Sequence, residues 1–268
     1  MTRMLHDRIA VGALAPPHAL NGHERKPPLR EQLLHTPSNH IVCALPPQDR
    51  ARLLTAMQPV SFALGDVVYE SGDRQEHIYF PTTCVVSSIY TTEDGATAEI
   101  ALVGNDGVVG MPLFLGGETS PNKAVVVVAG SAYKMRVQTL RDEFAAGGAL
   151  QWLLLRYTQA FITQISLAAV CNRLHTVEQR LCRWLLMCHD RVQTDDLRMT
   201  QEFISNVLGG RRETVTVAAG RLQDSGVIRY SRGHITILNR RRMEAAACEC
   251  YSTVRSECER LSTNGTHA

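Results

Sequence analysis

Residues 199–237, MTQEFISNVLGGRRETVTVAAGRLQDSGVIRYSRGHITI, constrain the fold of this chain more than any other stretch. Thr200 is suited to cap a helix, and Glu202 places an acid in its first turn, where unpaired amides favour negative charge. Phe203, Ile204, Val207 and Leu208 then recur at helical spacing until Gly209-Gly210 stops the run. In a second helix Val215, Ala218, Ala219 and Leu222 repeat at i, i+3, i+4 and i+7. Arg211, Arg212, Glu213 and Thr216 lie at its start and on its other side. Two short helices joined by glycines, the second led by arginine, predict a helix-turn-helix. A hairpin over 228–238, turning at Ser231-Arg232-Gly233, predicts a wing beside it, with Arg229, Arg232 and His234 within reach of phosphates.

Charge distribution agrees with this pattern. The whole chain of 268 residues carries a net charge of only +2, which excludes little. From 211 to 242, however, eight arginines stand against two acids, a net of +6. A basic run alone reads as a solvated helical face, but joined to a helix-turn-helix it is an electrostatic footprint for phosphate.

The length suffices for two domains, each with its own core, and 44% hydrophobic with 20% charged residues fits a soluble globular chain. Residues 1–37 carry paired prolines and no sustained period. A disordered tail is expected there, or an extension ahead of a later start such as Met4. LPPQDRARLLTAM, at 45–57, predicts a short helix with Leu53, Leu54 and Met57 on one side. Between Val60 and Arg136 come short Val-, Ile-, Tyr- and Thr-rich runs separated by Gly/Asp/Asn turns, which predicts an antiparallel β barrel or roll. A short helix capped by Thr139 should leave it. A long helix from about 149 to 174 follows, with Leu150, Leu154, Tyr157, Phe161, Ile165 and Ala168 in one stripe and Leu153, Ile162 and Ala169 widening it. So apolar a helix buries more than one face, either on its own domains or against its copy in a coiled coil. Paired reading of two half-sites, usual for a helix-turn-helix, favours the copy. From Val177 an amphipathic helix turns Leu181, Trp184, Leu185 and Cys188 inward, and 241–261 reads as one further helix.

Eight cysteines (43, 84, 171, 182, 188, 248, 250, 258) form no secreted framework and read as free thiols in a reducing cytoplasm. No signal peptide is visible, and Arg156, Gln159 and Gln164 argue against a membrane span near 150–171. Cys171 and His175 are four apart on a helix, and Cys248-x-Cys250 with Cys258 is a loose group. Neither has a strong zinc spacing, so the expectation is no metal. No phosphate loop, nucleophile elbow or paired zinc histidines appears, which points away from an enzyme.

The order of parts resembles the Crp/Fnr superfamily of bacterial transcription regulators over about 38–246. The resemblance is strongest in Thr200-Gln201-Glu202, Gly209-Gly210-Arg211-Arg212-Glu213-Thr214-Val215 and Leu222-Gln223-Asp224-Ser225-Gly226-Val227-Ile228. It implies an α+β fold: a jelly-roll-like antiparallel β-roll sensor at 38–145, a dimerisation helix at 146–175, a winged helix-turn-helix at 176–246, and a C-terminal helix and tail at 247–268. It also implies that Arg212 and Glu213 contact base edges. An arginine donates twice to guanine, and a glutamate accepts from cytosine N4. Thr200 and Gln201 would touch the DNA backbone, with Arg211 and Arg232 beside them. The archetypal activator carries a second arginine where this chain has Val217, preceded by Thr216, so apolar or hydroxyl contact to a thymine methyl is expected there instead.

The sensor departs further from the family. Its cyclic-nucleotide pocket uses Gly-Glu-Leu for the ribose hydroxyl and Arg-Ser/Thr-Ala for the cyclic phosphate. The nearest stretches here are Gly110-Met111-Pro112-Leu113 and Asn122-Lys123-Ala124. Two charge-assisted contacts are lost, and Lys123 restores a point charge but no fork. Cyclic AMP binding is therefore not expected, though another anion at Lys123 stays open. Only Cys43 precedes the roll, too few for the iron–sulfur centre of the oxygen-sensing branch. The expected partners are duplex DNA, a second copy of the chain and RNA polymerase, with no membrane, no cofactor and an unassigned effector. The alternative is a β-roll sensor that acts by protein contact without binding DNA.

Overall fold

A computed structural model describes residues 39–192, 194–209 and 211–263. The expected tail at 1–37 lies outside the described residues. Helices α1 (His40–Cys43) and α2 (Pro47–Thr55) precede the strands β1 (Gln58–Phe62), β2 (Val67–Tyr69), β3 (His77–Pro81), β4 (Val85–Thr91) and β5 (Thr97–Val103). A 3-10 turn (Met111–Phe114), β6 (Lys123–Val128) and β7 (Gly130–Arg136) complete the strand-rich part. Its two antiparallel sheets run β1-β7-β3 and β2-β6-β4-β5, the roll that the turn spacing predicts.

The valine run of β6 is explained by where its two faces go. Ala124 and Val126 fill the roll with Val86 and Val103, whereas Val125 and Val127 lie with Val85 and Leu102 on the other face. A strand buried on both sides reads as an unbroken apolar run instead of alternating.

Downstream lie α3 (Val137–Ala145), α4 (Ala149–Leu174), α5 (Val177–Arg191), β8 (Asp196–Arg198), α6 (Gln201–Leu208) and α7 (Arg212–Asp224). The strands β9 (Ile228–Ser231) and β10 (His234–Ile237) and the helices α8 (Arg240–Ala246) and α9 (Cys250–Thr263) end the described chain. The outer face of the four-stranded sheet packs on Leu181, Trp184 and Leu185 of α5, so the roll and the winged helix share one core. Each such buried side chain stabilises the fold by about 1.5–3 kcal/mol.

Three local expectations are corrected. The helix after the roll starts at Val137 with Arg136 in extended backbone at its N-cap, so Thr139 lies inside it. The segment 241–261 is two helices, because Ala247 turns to extended backbone (ψ 160°) before α9 begins at Cys250. A third strand, β8, joins the wing in the order β8-β10-β9; three residues are too few to show alternation.

The long helix is present, but its main stripe faces inward. Leu150, Leu154 and Ala168 are buried within the chain, with Leu153, Ala160, Gln164 and Cys171. Helix α9 covers one side: Arg156 Nε donates to the Leu261 carbonyl at 2.6 Å and Nη2 to that of Arg260 at 2.8 Å. Leu155, Ile162 and Ala169, each seven apart, remain exposed, alternating with Gln159, Ser166 and Arg173. That 4-3 spacing is heptad spacing, with apolar side chains at one of its two positions and polar ones at the other. By length and composition α4 could cross a bilayer, yet its Gln164 is buried and donates to the Leu102 carbonyl at 2.9 Å.

Candidate functional site

The helix-turn-helix is assembled on α5. A capping box starts that helix, with Gln179 N donating to Thr176 Oγ1 at 3.3 Å and Thr176 N to Gln179 Oε1 at 3.0 Å. Thr200 caps α6 as expected, accepting from Phe203 N at 3.1 Å. Ile204, Val207 and Leu208 are buried, and Arg180 of α5 donates to the Leu208 carbonyl at the helix end. Gly209 closes α6 in left-handed backbone (φ 62°, ψ 34°), which only glycine adopts without strain.

Helix α7 divides as its periodicity predicts. Val215, Ala218, Ala219 and Leu222 are buried. Arg211, Arg212, Glu213, Thr216 and Val217 are exposed on the opposite side, Val217 at 54%. Thr216 Oγ1 donates back to the Arg212 carbonyl at 2.9 Å. Arg221, further along, leans towards Glu178 at 3.7 Å.

The wing turns through Arg232 (φ 50°) and Gly233 (φ 79°), the paired positive angles of a type I′ hairpin. Met199 N donates to the Gly233 carbonyl at 2.8 Å, so the wing tip sits at the entrance to α6 beside Thr200. Arg229 and Arg232 are exposed. His234 instead meets Asp196 of β8 at 2.9 Å, a partner its sequence context did not reveal. Arg240 is also absorbed, bonding Glu244 at 2.9 Å, Asp190 at 2.5 Å and the Tyr251 hydroxyl at 2.6 Å. The positive charge left to the surface is accordingly smaller than the tally over 211–242 suggests. Of the expected backbone contacts, Thr200 stands at the N-terminus of α6 with the wing turn of Arg232 beside it, whereas Arg211 is the N-cap of α7, beyond the other end of α6; the side chain of Gln201 is outside the described residues.

Several polar groups, most of them buried, join the helix-turn-helix to the roll. Thr97 Oγ1 on β5 donates to the Asn206 carbonyl of α6 at 2.6 Å. Trp184 Nε1 donates to Glu99 Oε2 at 2.7 Å, and Ser87 Oγ to the same oxygen at 2.8 Å. Burial raises the pKa of Glu99, while Arg183, Ser87 and Trp184 pull it down in part. Arg191 of α5 meets Asp106 of the roll at 2.6 Å and Gln164 of α4 at 3.3 Å. Burial works against the Arg191 charge, but Asp106, together with Cys258 and Cys188, more than offsets it. Sequence reading missed these groups because single charged residues carry no periodic signal.

In the sensor, Gly110 (φ 108°) leads into the 3-10 turn, whose Leu113 and Phe114 are buried in the roll-side core while Met111 is half-buried. Arg141 of α3 pins that turn, donating to the carbonyls of Leu113 at 2.9 Å and Gly117 at 2.7 Å. Lys123 pairs with Glu70 at 3.0 Å on the surface, and Asn122 donates its backbone N–H to Ser120 Oγ at 3.1 Å. A cavity of about 400 Å³ lies elsewhere, between the roll, α5 and α9, lined by Asp106, Asp190, Arg191 and Tyr251 among others.

The cysteines separate in a way that spacing did not indicate. Cys171, His175, Cys248 and Cys250 converge, whereas Cys258 lines the cavity beside Arg191. Cys84, Cys182 and Cys188 are buried, and Cys43 is exposed. Burial pushes the thiols of Cys84 and Cys182 up to about 12, which keeps them inert.

Comparison with known proteins follows the same division. Residues 179–246 match the Crp-like helix-turn-helix domain, and residues 59–146 match the cyclic nucleotide-binding domain. The global nitrogen regulator of Synechococcus elongatus is 23% identical over 192 residues, covering 68% of this chain and 86% of that protein. That of a Nostoc species is 24% identical over 194 residues with the same coverage. Among solved structures, FixK2 from Bradyrhizobium japonicum shares the fold with a TM-score of 0.59 at 20% identity, covering 72% of this chain and 98% of that one. A CRP-family transcriptional regulator from Thermus thermophilus does so with a TM-score of 0.58 at 16% identity, covering 70% and 96%.

Proposed function

This chain belongs to the Crp/Fnr superfamily of transcription regulators, and from that premise we propose that it binds a pseudo-palindromic DNA site as a homodimer. The observation that carries the reading is the two-sided α7, with Arg212, Glu213, Thr216 and Val217 exposed together while the opposite face is locked into the core. Arg212 and Glu213 read base edges, and Thr216 and Val217 offer methyl groups to thymine. Thr200, Gln201, Arg211 and Arg232 hold phosphates, which fixes register without reading sequence. The exposed seam Leu155–Ile162–Ala169 is the pairing face, because two copies reading two half-sites need a symmetric contact. The working compartment is the cytoplasm, and RNA polymerase is a further partner.

The sensor does not bind cyclic AMP. The position of the family's glutamate is filled by Met111 and Pro112, and Lys123 is already paired with Glu70. Calorimetry with cyclic AMP should give no binding heat, and a dissociation constant in the low micromolar range defeats this part of the reading.

The main test is selection of duplexes from a random pool, followed by anisotropy titration of the winner across a salt series. The logarithm of the binding constant should fall linearly with that of salt, and a scrambled duplex should bind about 1000-fold more weakly or worse. Equal affinity for winner and scramble overturns sequence-specific recognition.

A further inference from the structure

Cys171 lies in the last turn of α4 and His175 is its C-cap, while Cys248 and Cys250 flank Glu249 where the turn after α8 enters α9. Folding brings these four side chains into one cluster, with every ligand atom within 4.8 Å of the others. Cys171 Sγ is 3.5 Å from Cys248 Sγ, and Cys250 Sγ is 3.7 Å from His175 Nδ1. A tetrahedral ion with thiolates at about 2.3 Å and an imidazole nitrogen at about 2.0 Å has edges of roughly 3.5–3.8 Å. The contacts are already the size of that polyhedron.

Three features around the cluster support a ligand role. The cysteines are 0%, 4% and 2% exposed, in the order 171, 248 and 250, so bulk water does not compete for them. His175 Nε2 faces the Glu249 carboxylate at 3.3 Å, which orients the ring with Nδ1 towards the sulfurs. A carboxylate on the far nitrogen is the usual support of a zinc-bound histidine. Arg183 of α5 is buried with its Nε–H unpartnered, and its charge bears on Cys171 and Cys250.

We propose that Cys171, His175, Cys248 and Cys250 bind a single zinc-class divalent ion at the joint between α4 and α5. Binding releases the three thiol protons to solvent and leaves three thiolates and a neutral imidazole around Zn²⁺, a net charge of −1 that Arg183 offsets. Sulfur ligands favour zinc over magnesium or calcium. The span of the cluster suits one ion, since an iron–sulfur cluster holds its thiolates further apart. His175 precedes Thr176, the N-cap of α5, so the ion ties the end of the long helix to the start of the winged helix and to α9.

The test uses the full chain, purified with a phosphine reductant and dialysed against metal-free buffer. Plasma mass spectrometry should find one zinc per chain, and Co²⁺ exchange should give intense tetrahedral d–d bands with thiolate-to-cobalt charge transfer. Cys248→Ser should lower zinc affinity by at least tenfold, Glu249→Gln by roughly 10- to 100-fold through the histidine, and Cys43→Ser not at all. If Cys248→Ser fails to fold, the cobalt spectrum of the parent chain and the Glu249→Gln affinity still decide. Reduced parent protein that neither retains zinc nor gives a tetrahedral cobalt spectrum overturns the site. So does unchanged zinc affinity in folded Cys248→Ser, or a Cys171–Cys248 disulfide that persists in reductant.

Discussion

At the scale of residues, Arg212 and Arg232 separate two kinds of contact. Arg212→Ala removes a bidentate base contact and should weaken binding to the selected site by about 1–3 kcal/mol, relaxing preference at one base pair. Arg232→Ala should weaken all duplexes alike and reduce the salt slope by about 1. Titration against single-base operator variants distinguishes them; a uniform loss for Arg212→Ala removes it from the reading residues. Glu99 is a second informative position. Its pKa is raised by burial, so above the ordinary value of 4.5 the folded chain holds a proton that the unfolded chain has lost. Stability from this group therefore falls as pH rises through the window between 4.5 and the raised folded value. Glu99→Gln removes the titration while keeping an acceptor for Trp184. The urea midpoint of Glu99→Gln relative to the parent should climb as pH rises above 4.5. A pH-independent difference contradicts the raised pKa.

At the scale of elements, three glycines around the helix-turn-helix should respond differently to alanine. At Gly209 a Cβ would sit 2.6 Å from the Thr97 carbonyl, in backbone with φ 62°. Gly209→Ala should therefore suffer about 1–2 kcal/mol of left-handed strain and also push α6 away from β5. At Gly233 the backbone is equally left-handed, but the nearest atom is Thr200 Cγ2 at 3.9 Å, so only the strain remains. Gly220 lies inside α7 with nothing within 4 Å, and alanine there should stabilise by about 0.5–1 kcal/mol. Urea denaturation should rank the variants Gly220→Ala, parent, Gly233→Ala, Gly209→Ala from most to least stable. If Gly209→Ala is no worse than Gly233→Ala, the close approach of α6 to the roll is not maintained in solution.

At the scale of the whole molecule, the seam on α4 can be broken without touching the core. Ile162 is 56% exposed, so Ile162→Lys leaves the fold of one copy unstrained but places like charges across a two-fold contact. Light scattering should report twice the chain mass for the parent and a monomer for the variant; a parent that is monomeric at high concentration removes the paired-helix reading. Much of the fold was legible beforehand because its signals are local. Thr200 and Gly209 mark the ends of α6, Val215 to Leu222 trace one helical face, and the turn-separated β runs announce the roll. By itself the sequence determined most of the helices and strands and which face of α7 is apolar, but neither strand β8 nor the break at Ala247. Those properties depend on backbone preference and short-range periodicity. Tertiary structure alone decided that the predicted stripe of α4 packs inward, that His234 and Arg240 are taken by Asp196 and Asp190, and that Cys171 meets Cys248. These outcomes depend on elements up to 77 residues apart choosing the same neighbour. No local pattern encodes that choice, because it is settled by which surfaces the shared core brings together.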